Sequence, residues 1–169
     1  VANIPRGKIC VWDSIQARNV PERGVKVIAN QLGVLGMGYT DDNGNFCTIV
    51  PYTSLGGKVQ IILKFENSKA IINGPYKSQF LEPSYYYEGS HWLEGLSDLR
   101  INLSNNSREG RLATVLNSVA DYHDYCSATG ITRPSLLRIW VMDDVANACT
   151  PLCRYAAREI LAGSMNVLK

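Results

Sequence analysis

The sequence predicts an α+β fold, in which an N-terminal antiparallel β-sandwich precedes a small C-terminal α/β unit. Short alternating runs separated by turn residues dominate the chain up to about residue 75. From Ser107 onward, the apolar residues recur with the period of about 3.6 that is typical of an α-helix. We therefore divide the 169 residues into a β-sandwich (1–75), an aromatic connector (76–108) and an α/β unit (109–169) that could begin a larger domain.

Six runs predict the strands of the sandwich: "GKICVWD", "GVKVIANQ", "GVLGMGYT", "NFCTIVPY", "GGKVQIILKFEN" and "SKAIING". Alternation along these runs directs one set of side chains into the core: Ile9, Val11, Val25, Val27, Phe46, Thr48 and Val50. Cys10, Trp12 and Cys47 then face outward. Because Cys10 and Cys47 share this face, we also consider a disulfide between them, which requires Cα atoms within about 7 Å.

The stretch "YTDDNGNF" has two interpretations, a calcium loop and a turn. An EF-hand loop needs an oxygen ligand at its first position and Glu at its twelfth, with Gly at the sixth. Aligning Gly44 with the sixth position places Tyr39 first and Val50 twelfth, which excludes the EF-hand. Asn43-Gly44 instead predicts a tight hairpin turn of type I′, in which both central residues have positive φ.

The second unit begins with a predicted helix between an N-cap at Ser107 and a terminating Gly130. Its apolar stripe comprises Leu112, Val115, Leu116, Val119, Tyr122, His123 and Cys126. The run "SLLRIWVMDD" predicts a strand buried on both faces, and we interpret Asp143 and Asp144 at its end as the start of a loop. The segment "TPLCRYAAREILAG" predicts a second helix, because Thr150 and Pro151 form a typical helix start.

The connector contains the aromatic stretch "YYYEGSHW". Such clusters fill cores and interdomain contacts, and they also form exposed platforms for glycans or peptides. Tyr85, Tyr86, Tyr87 and Trp92 are therefore a candidate binding surface, although some of these rings are expected to seal the contact between the two units.

Charge and hydropathy exclude several classes of function. The net charge is +2, from 17 basic and 15 acidic residues with interspersed signs, so we expect neither a nucleic-acid partner nor an anionic membrane surface. No apolar run approaches the roughly 18 residues of a membrane span. Because the chain does not begin with Met, we expect that a targeting segment has been removed.

Catalytic motifs are lacking in the sequence. The only histidines, His91 and His123, cannot form a His-Glu-x-x-His zinc motif, and no Gly-x-Ser-x-Gly elbow is present. We expect no catalytic residue, no cofactor and no metal. The metal alternative is a closed thiol site of His123, Cys126, Cys149 and Cys153, and a disulfide among these cysteines is the other interpretation. The five cysteines leave at least one thiol free or paired between chains.

The first segment resembles the carboxypeptidase regulatory-like domain, a transthyretin-like (prealbumin-like) β-sandwich. The resemblance covers residues 5–65 and rests on "GKICVWD", "VPERGVKVIA" and "TDDNGNF". It implies a fold and not an activity. The second half resembles the lead-in to a zinc-metallopeptidase domain of secreted bacterial proteins, through "GRLATVLNSVADYHDYC" and "LLRIWVMDD".

Together, these features predict a noncatalytic, exported binding or structural module of a cell-envelope protein with a metallopeptidase-like body. Its partner would be a protein or a glycan, and its location extracytoplasmic (periplasmic, outer-surface or secreted). The alternative is the N-terminal part of a zinc metallopeptidase whose metal site lies outside this chain.

Overall fold

The structure, a computed structural model, describes residues 3–53, 57–73, 85–104 and 106–141. Strand is the commonest element, at 43% of these residues, and one α-helix is present, which is compatible with the predicted α+β class. The elements are β1 (Arg6–Asp13), β2 (Arg18–Pro21), β3 (Lys26–Gln31), β4 (Val34–Tyr39), β5 (Asn45–Cys47), β6 (Val59–Lys64), β7 (Ala70–Asn73), β8 (Tyr85–His91), a 3₁₀ turn (Leu93–Gly95), β9 (Leu99–Leu103), α1 (Arg108–Thr129) and β10 (Leu137–Trp140).

The strands form two four-stranded sheets and one smaller pair. In the first sheet, β1 is central: β2 and β5 pair antiparallel with it, and β9 pairs parallel with it from Gly7–Leu99 to Val11–Leu103. The second sheet is antiparallel throughout, in the order β4-β3-β6-β8. The small pair joins β7 and β10 in parallel. The first sheet thus contains strands that are about 90 residues apart in sequence.

One buried cluster connects the sheets and the helix. It contains the inward residues of both four-stranded sheets together with Leu112 and Leu116 of α1 and Ile139 of β10. The alternation prediction is confirmed: Ile9, Val11, Val25, Val27, Phe46 and Thr48 are all buried, and Val50 is half-buried against the cluster. Burial of these side chains is the main source of stability, at about 25 cal/mol per Å² of apolar surface removed from water.

Helix α1 begins and ends as the sequence predicts. The Ser107 hydroxyl accepts a hydrogen bond from the Gly110 N–H at 3.0 Å, and Gly130 ends the helix at φ +72°. The buried stripe includes Leu112, Leu116, Val119, His123 and Cys126. The prediction for Tyr122 is wrong, because its side chain is 43% exposed.

The turn after β4 is tight, but it is not a type I′ hairpin. Gly44 has φ +77°, whereas Asn43 is not among the described residues with positive φ. The Asp41 carboxylate accepts hydrogen bonds from the N–H groups of Asn43 and Asn45, at 2.9 and 2.8 Å. Strands β4 and β5 lie in different sheets, so this turn carries the chain from one sheet to the other. The carboxylate that resembled a calcium ligand therefore caps a turn.

Strand β10 corrects a second prediction. Leu137 and Ile139 are buried, whereas Arg138 is exposed and Trp140 is half-buried. The strand therefore buries one face and not both: Leu137 and Ile139 join the buried cluster, whereas the face with Arg138 and Trp140 is only partly buried.

The two outward cysteines do not pair. Cys47 of β5 lies opposite Arg6 of β1, and Cys10 lies four residues beyond Arg6 on β1. Because residues four apart on a strand point to the same face, the predicted shared face is confirmed. Four residues of strand correspond to roughly 13 Å, which exceeds the reach of a disulfide. Both thiols are free. The alternation of side chains along each strand predicted the shared face of Cys10 and Cys47 correctly, but it gave no information on the distance between them.

The predicted connector supplies strands to both sheets. β8 forms the edge of the second sheet, and β9, predicted from "LSDLRINLS", joins the first. Strand β2, with the sequence "RNVP", lies outside the six runs that predicted strands. The second predicted helix, Asp143, Asp144, Cys149 and Cys153 lie outside the described residues, and the three-part division of the chain stays a prediction.

Candidate functional site

The exposed apolar surface of the described residues is concentrated on the hairpin formed by β3 and β4. Five of the fourteen exposed large hydrophobic side chains lie within this short segment, and we call them the hairpin surface: Leu32, Val34, Leu35, Met37 and Tyr39. Leu35, Met37 and Tyr39 alternate along β4 and so share one face of it, and exposed apolar patches of this kind mark binding sites. The hairpin surface is therefore the candidate functional site.

The tip of this hairpin is a two-residue turn. Leu32 has φ +51° and Gly33 has φ +86°, as a type I′ turn requires. The side chain of Asn30 supports the turn by accepting a hydrogen bond from the Gly33 N–H at 3.0 Å. Leu32 is 85% exposed although a leucine is disfavoured at positive φ. The turn thus holds an apolar side chain out in solvent at a conformational cost.

The inner side of β4 explains why its large side chains face outward. A Cβ on Gly38 would lie 2.3 Å from the carbonyl oxygen of Cys47, and a Cβ on Gly36 would lie 2.8 Å from the Tyr52 hydroxyl. Tyr52 in turn donates a hydrogen bond of 2.7 Å to the Ala29 carbonyl. The stretch of chain from Cys47 to Tyr52 therefore packs directly on Gly36 and Gly38. Leu35, Met37 and Tyr39 alternate with them and lie on the outer face.

The outer face of the second sheet extends this apolar surface. Met37 lies opposite Ile28, and Ile28 lies opposite Ile62; both isoleucines are half-buried. Lys26 and Lys64 form the adjoining row, and the Lys26 ammonium pairs with Glu66 at 2.9 Å. The result is an apolar row of cross-strand neighbours with one basic row beside it.

A groove between α1 and the β1–β2 loop is a second candidate site in the described part of the chain. It encloses about 820 Å³. Its apolar lining comes from Val11, Val20, Val115 and Val141, and its charged rim from Asp13, Arg18, Arg23, Asp42, Arg111 and Asp121. Acidic and basic groups are mixed along the rim, so the groove presents no single charge to a ligand.

Polar contacts between α1 and the chain from Pro21, which ends β2, to Arg23 hold one wall of this groove in place. The Asn117 amide donates to the Pro21 carbonyl and accepts from the Arg23 N–H, both at 2.9 Å. The Arg23 guanidinium binds Asp121 and, at 2.8 Å, Asp124. This guanidinium holds the pKa of Asp124 below its ordinary value. These contacts have a structural role, since they join strand and helix.

Glu22 is the one described acidic residue that is completely buried, and both of its carboxylate oxygens lack a hydrogen-bond partner. Burial raises its pKa well above the ordinary value, and the positive charge of Arg23 opposes this only in part. A buried carboxyl without a hydrogen-bond partner is a cost to stability.

The predicted thiol site is described only in part. His123 and Cys126 are both buried on α1, and the Nε2 atom of His123 has no hydrogen-bond partner. Burial lowers the pKa of this imidazole, and Lys69 and Arg133 lower it further. No group of three or more His, Cys, Asp or Glu side chains in the described chain could hold a metal ion.

The predicted aromatic surface is also described in part. Tyr85, Tyr86 and Tyr87 lie in β8, where the structure does not describe their side chains. Trp92 is exposed, and the Lys58 ammonium lies 5.2 Å from its ring centroid, in cation–π contact. Sequence reasoning placed a candidate binding surface here and did not identify the hairpin surface. The sequence feature that corresponds to the hairpin surface is the uncharged run "VLGMGY". This run predicts a strand, but it does not predict that the side chains of the strand are exposed.

None of the helices described by the structure has both the length and the apolar character needed to cross a membrane. No protein-family model matches the chain, and searches of curated proteins and of solved structures find no match either.

Proposed function

We propose that this chain is a noncatalytic binding module of an exported cell-envelope protein, and that it binds a protein partner through the hairpin surface. The observation that carries the proposal is the set of exposed apolar side chains on β4 and its turn. Aliphatic side chains dominate this set, and they suit a protein partner better than a glycan, whose hydroxyl groups require polar contacts.

The module type comes from the sequence. The strings "GKICVWD", "VPERGVKVIA" and "TDDNGNF" resemble the carboxypeptidase regulatory-like, transthyretin-like domain, and modules of this kind accompany secreted and surface proteins. This resemblance supports both export and a noncatalytic role. The strand-rich structure, with sheets that share one core, is compatible with such a domain.

Photocrosslinking in the native cells tests the proposal. A photoreactive amino acid placed at Met37 should crosslink the chain to a protein, whereas the same amino acid at exposed Ser14, in the β1–β2 loop, should not. The absence of any Met37-dependent product would refute binding through the hairpin surface. The noncatalytic part is tested with a peptide-hydrolysis assay, with and without added zinc; zinc-dependent cleavage would overturn it.

A further inference from the structure

Strand β4 is an edge strand with an unpaired side. The second sheet runs β4-β3-β6-β8, and no strand in the described chain pairs with the outer side of β4. Its ladder with β3 is regular over all six residues, from Val34–Gln31 to Tyr39–Lys26. Such an edge is a template for another strand.

The backbone groups that point out of this edge can be identified. A two-residue turn makes Gln31 and Val34 a hydrogen-bonded pair. At the other end, the Thr40 N–H donates to the Val25 carbonyl at 3.0 Å. Hydrogen-bonded and non-hydrogen-bonded pairs alternate in an antiparallel ladder. The N–H and C=O groups of Leu35, Met37 and Tyr39 therefore point away from β3, and no described residue bonds to them.

These three residues are symmetric about Met37. If two copies of β4 pair antiparallel around a two-fold axis at Met37, Leu35 of one copy lies opposite Tyr39 of the other, and the two Met37 residues face each other. Each of these pairs then exchanges both N–H···O bonds. The side chains that meet are an aliphatic–aromatic pair and a methionine pair, which stabilise neighbouring strands. The edge is complementary to itself in backbone and in side chains.

The usual devices that protect an edge strand are missing from β4. It has no lysine, no proline and no register shift, whereas the pairing of β6 with β8, the strand at the opposite edge of the same sheet, shifts register between Ile61 and Ile62 of β6. No charge lies on β4, and the net charge of +2 on the chain opposes the approach of a second copy only weakly.

We propose that the partner of the hairpin surface is a second copy of this chain, bound by antiparallel pairing of β4 with β4 around Met37. This pairing joins two four-stranded sheets into one continuous sheet and brings Leu35, Met37 and Tyr39 of the two copies into cross-strand contact. The inference rests on the proposed function, because it names the partner of the same surface. An interface limited to one strand pair is small, so the dimer is a reversible one.

Sedimentation velocity of the full chain, from about 1 µM to about 500 µM, measures this association. Leu35→Glu and Tyr39→Lys should each raise the dissociation constant at least about tenfold, because each places a charge against an apolar partner. In an equimolar mixture of the two variants, the opposite charges face each other across the axis. The mixture should return to within about threefold of the wild-type constant. Ser14→Lys, with its charge on a distant exposed loop, is the control and should leave the constant unchanged. Circular dichroism spectra and thermal melts establish that all variants are folded.

A wild-type chain that stays monomeric over this range overturns the inference. A dimer unaffected by both single variants overturns it too, because another surface must then form the dimer. A mixture no tighter than its components refutes the two-fold register. If the chain is monomeric while Met37 crosslinks to a different protein, the second copy is excluded and the proposed function stands. If the chain dimerises through β4 while Met37 gives no crosslink in cells, the proposed function fails and the pairing stands.

Discussion

Replacing Glu22 should stabilise this protein at neutral pH. The side chain is fully buried, and both carboxylate oxygens lack a hydrogen-bond partner. A buried polar group without a partner costs about 1–3 kcal/mol. Glu22→Met substitutes an unbranched apolar side chain of similar length, so we expect the free energy of unfolding to rise by about 1–3 kcal/mol. The gain should be larger above the folded-state pKa, where the native carboxyl ionises inside the core.

The pH dependence has a definite sign. Burial raises the pKa of Glu22 in the folded protein above its unfolded value. The contribution of this carboxyl to stability is therefore fully present below the unfolded pKa and is lost as the pH rises through the folded pKa, with a slope of up to about 1.4 kcal/mol per pH unit. The lowered pKa of His123 acts in the opposite direction, because its contribution is lost as the pH falls. Glu22→Gln isolates the first effect, since glutamine has nearly the same shape and does not titrate.

Urea unfolding of the wild type, Glu22→Gln and Glu22→Met, followed by tryptophan fluorescence from about pH 4.5 to about pH 8, measures these differences. The stability of Glu22→Gln relative to the wild type should increase with pH. Parallel curves for these two proteins would show that Glu22 binds the same number of protons in the folded and unfolded states, so that folding does not raise its pKa. A Glu22→Met variant less stable than the wild type at neutral pH would show that the carboxyl has a stabilising partner, and would refute the reasoning.

Three further substitutions test the packing and the turns, each by urea unfolding. Gly38→Ala should lose about 1–3 kcal/mol, because its Cβ would meet the Cys47 carbonyl oxygen, whereas Gly95→Ala has open space and should not show this loss. Asn117→Ala should lose about 1–3 kcal/mol, because the Pro21 carbonyl and the Arg23 N–H each lose a partner; an unchanged midpoint would show that water replaces the amide. Leu32→Asn should gain about 0.5–1 kcal/mol, since asparagine tolerates positive φ better than leucine; a loss would mean that the Leu32 side chain contributes packing in the folded state.

Local features of this fold were predictable because short-range physics determines them. Alternation identified the buried faces of β1 and β3, and capping chemistry located both ends of α1 at Ser107 and Gly130. Asn43-Gly44 predicted a tight turn for the same reason. Its type differed because the Asp41 carboxylate binds two backbone N–H groups of the turn, an interaction that competes with the backbone pattern of a type I′ turn.

Features that depend on distant parts of the chain were not predictable from patterns. The sequence assigns β4 to a strand, but its exposure depends on the strand order of the sheet and on the segment that covers Gly36 and Gly38. Likewise, the alternation of side chains placed Cys10 and Cys47 on one face, whereas only the register of the β1–β5 pairing shows how far apart they lie. The hairpin surface therefore became visible as a site only in the folded arrangement.

The parallel pairing of β1 with β9 affects the order in which the protein can fold. During synthesis, β1 leaves the ribosome before its partner at Leu99–Leu103, which follows about 90 residues later. Until then, Ile9 and Val11 lie in a strand with one side unpaired, and closing so long a loop slows folding. A nascent chain that ends before Leu99 thus exposes an apolar strand edge to other chains. The nascent chain is therefore at risk of aggregation until β9 has been synthesised. A chaperone would be most useful during this interval.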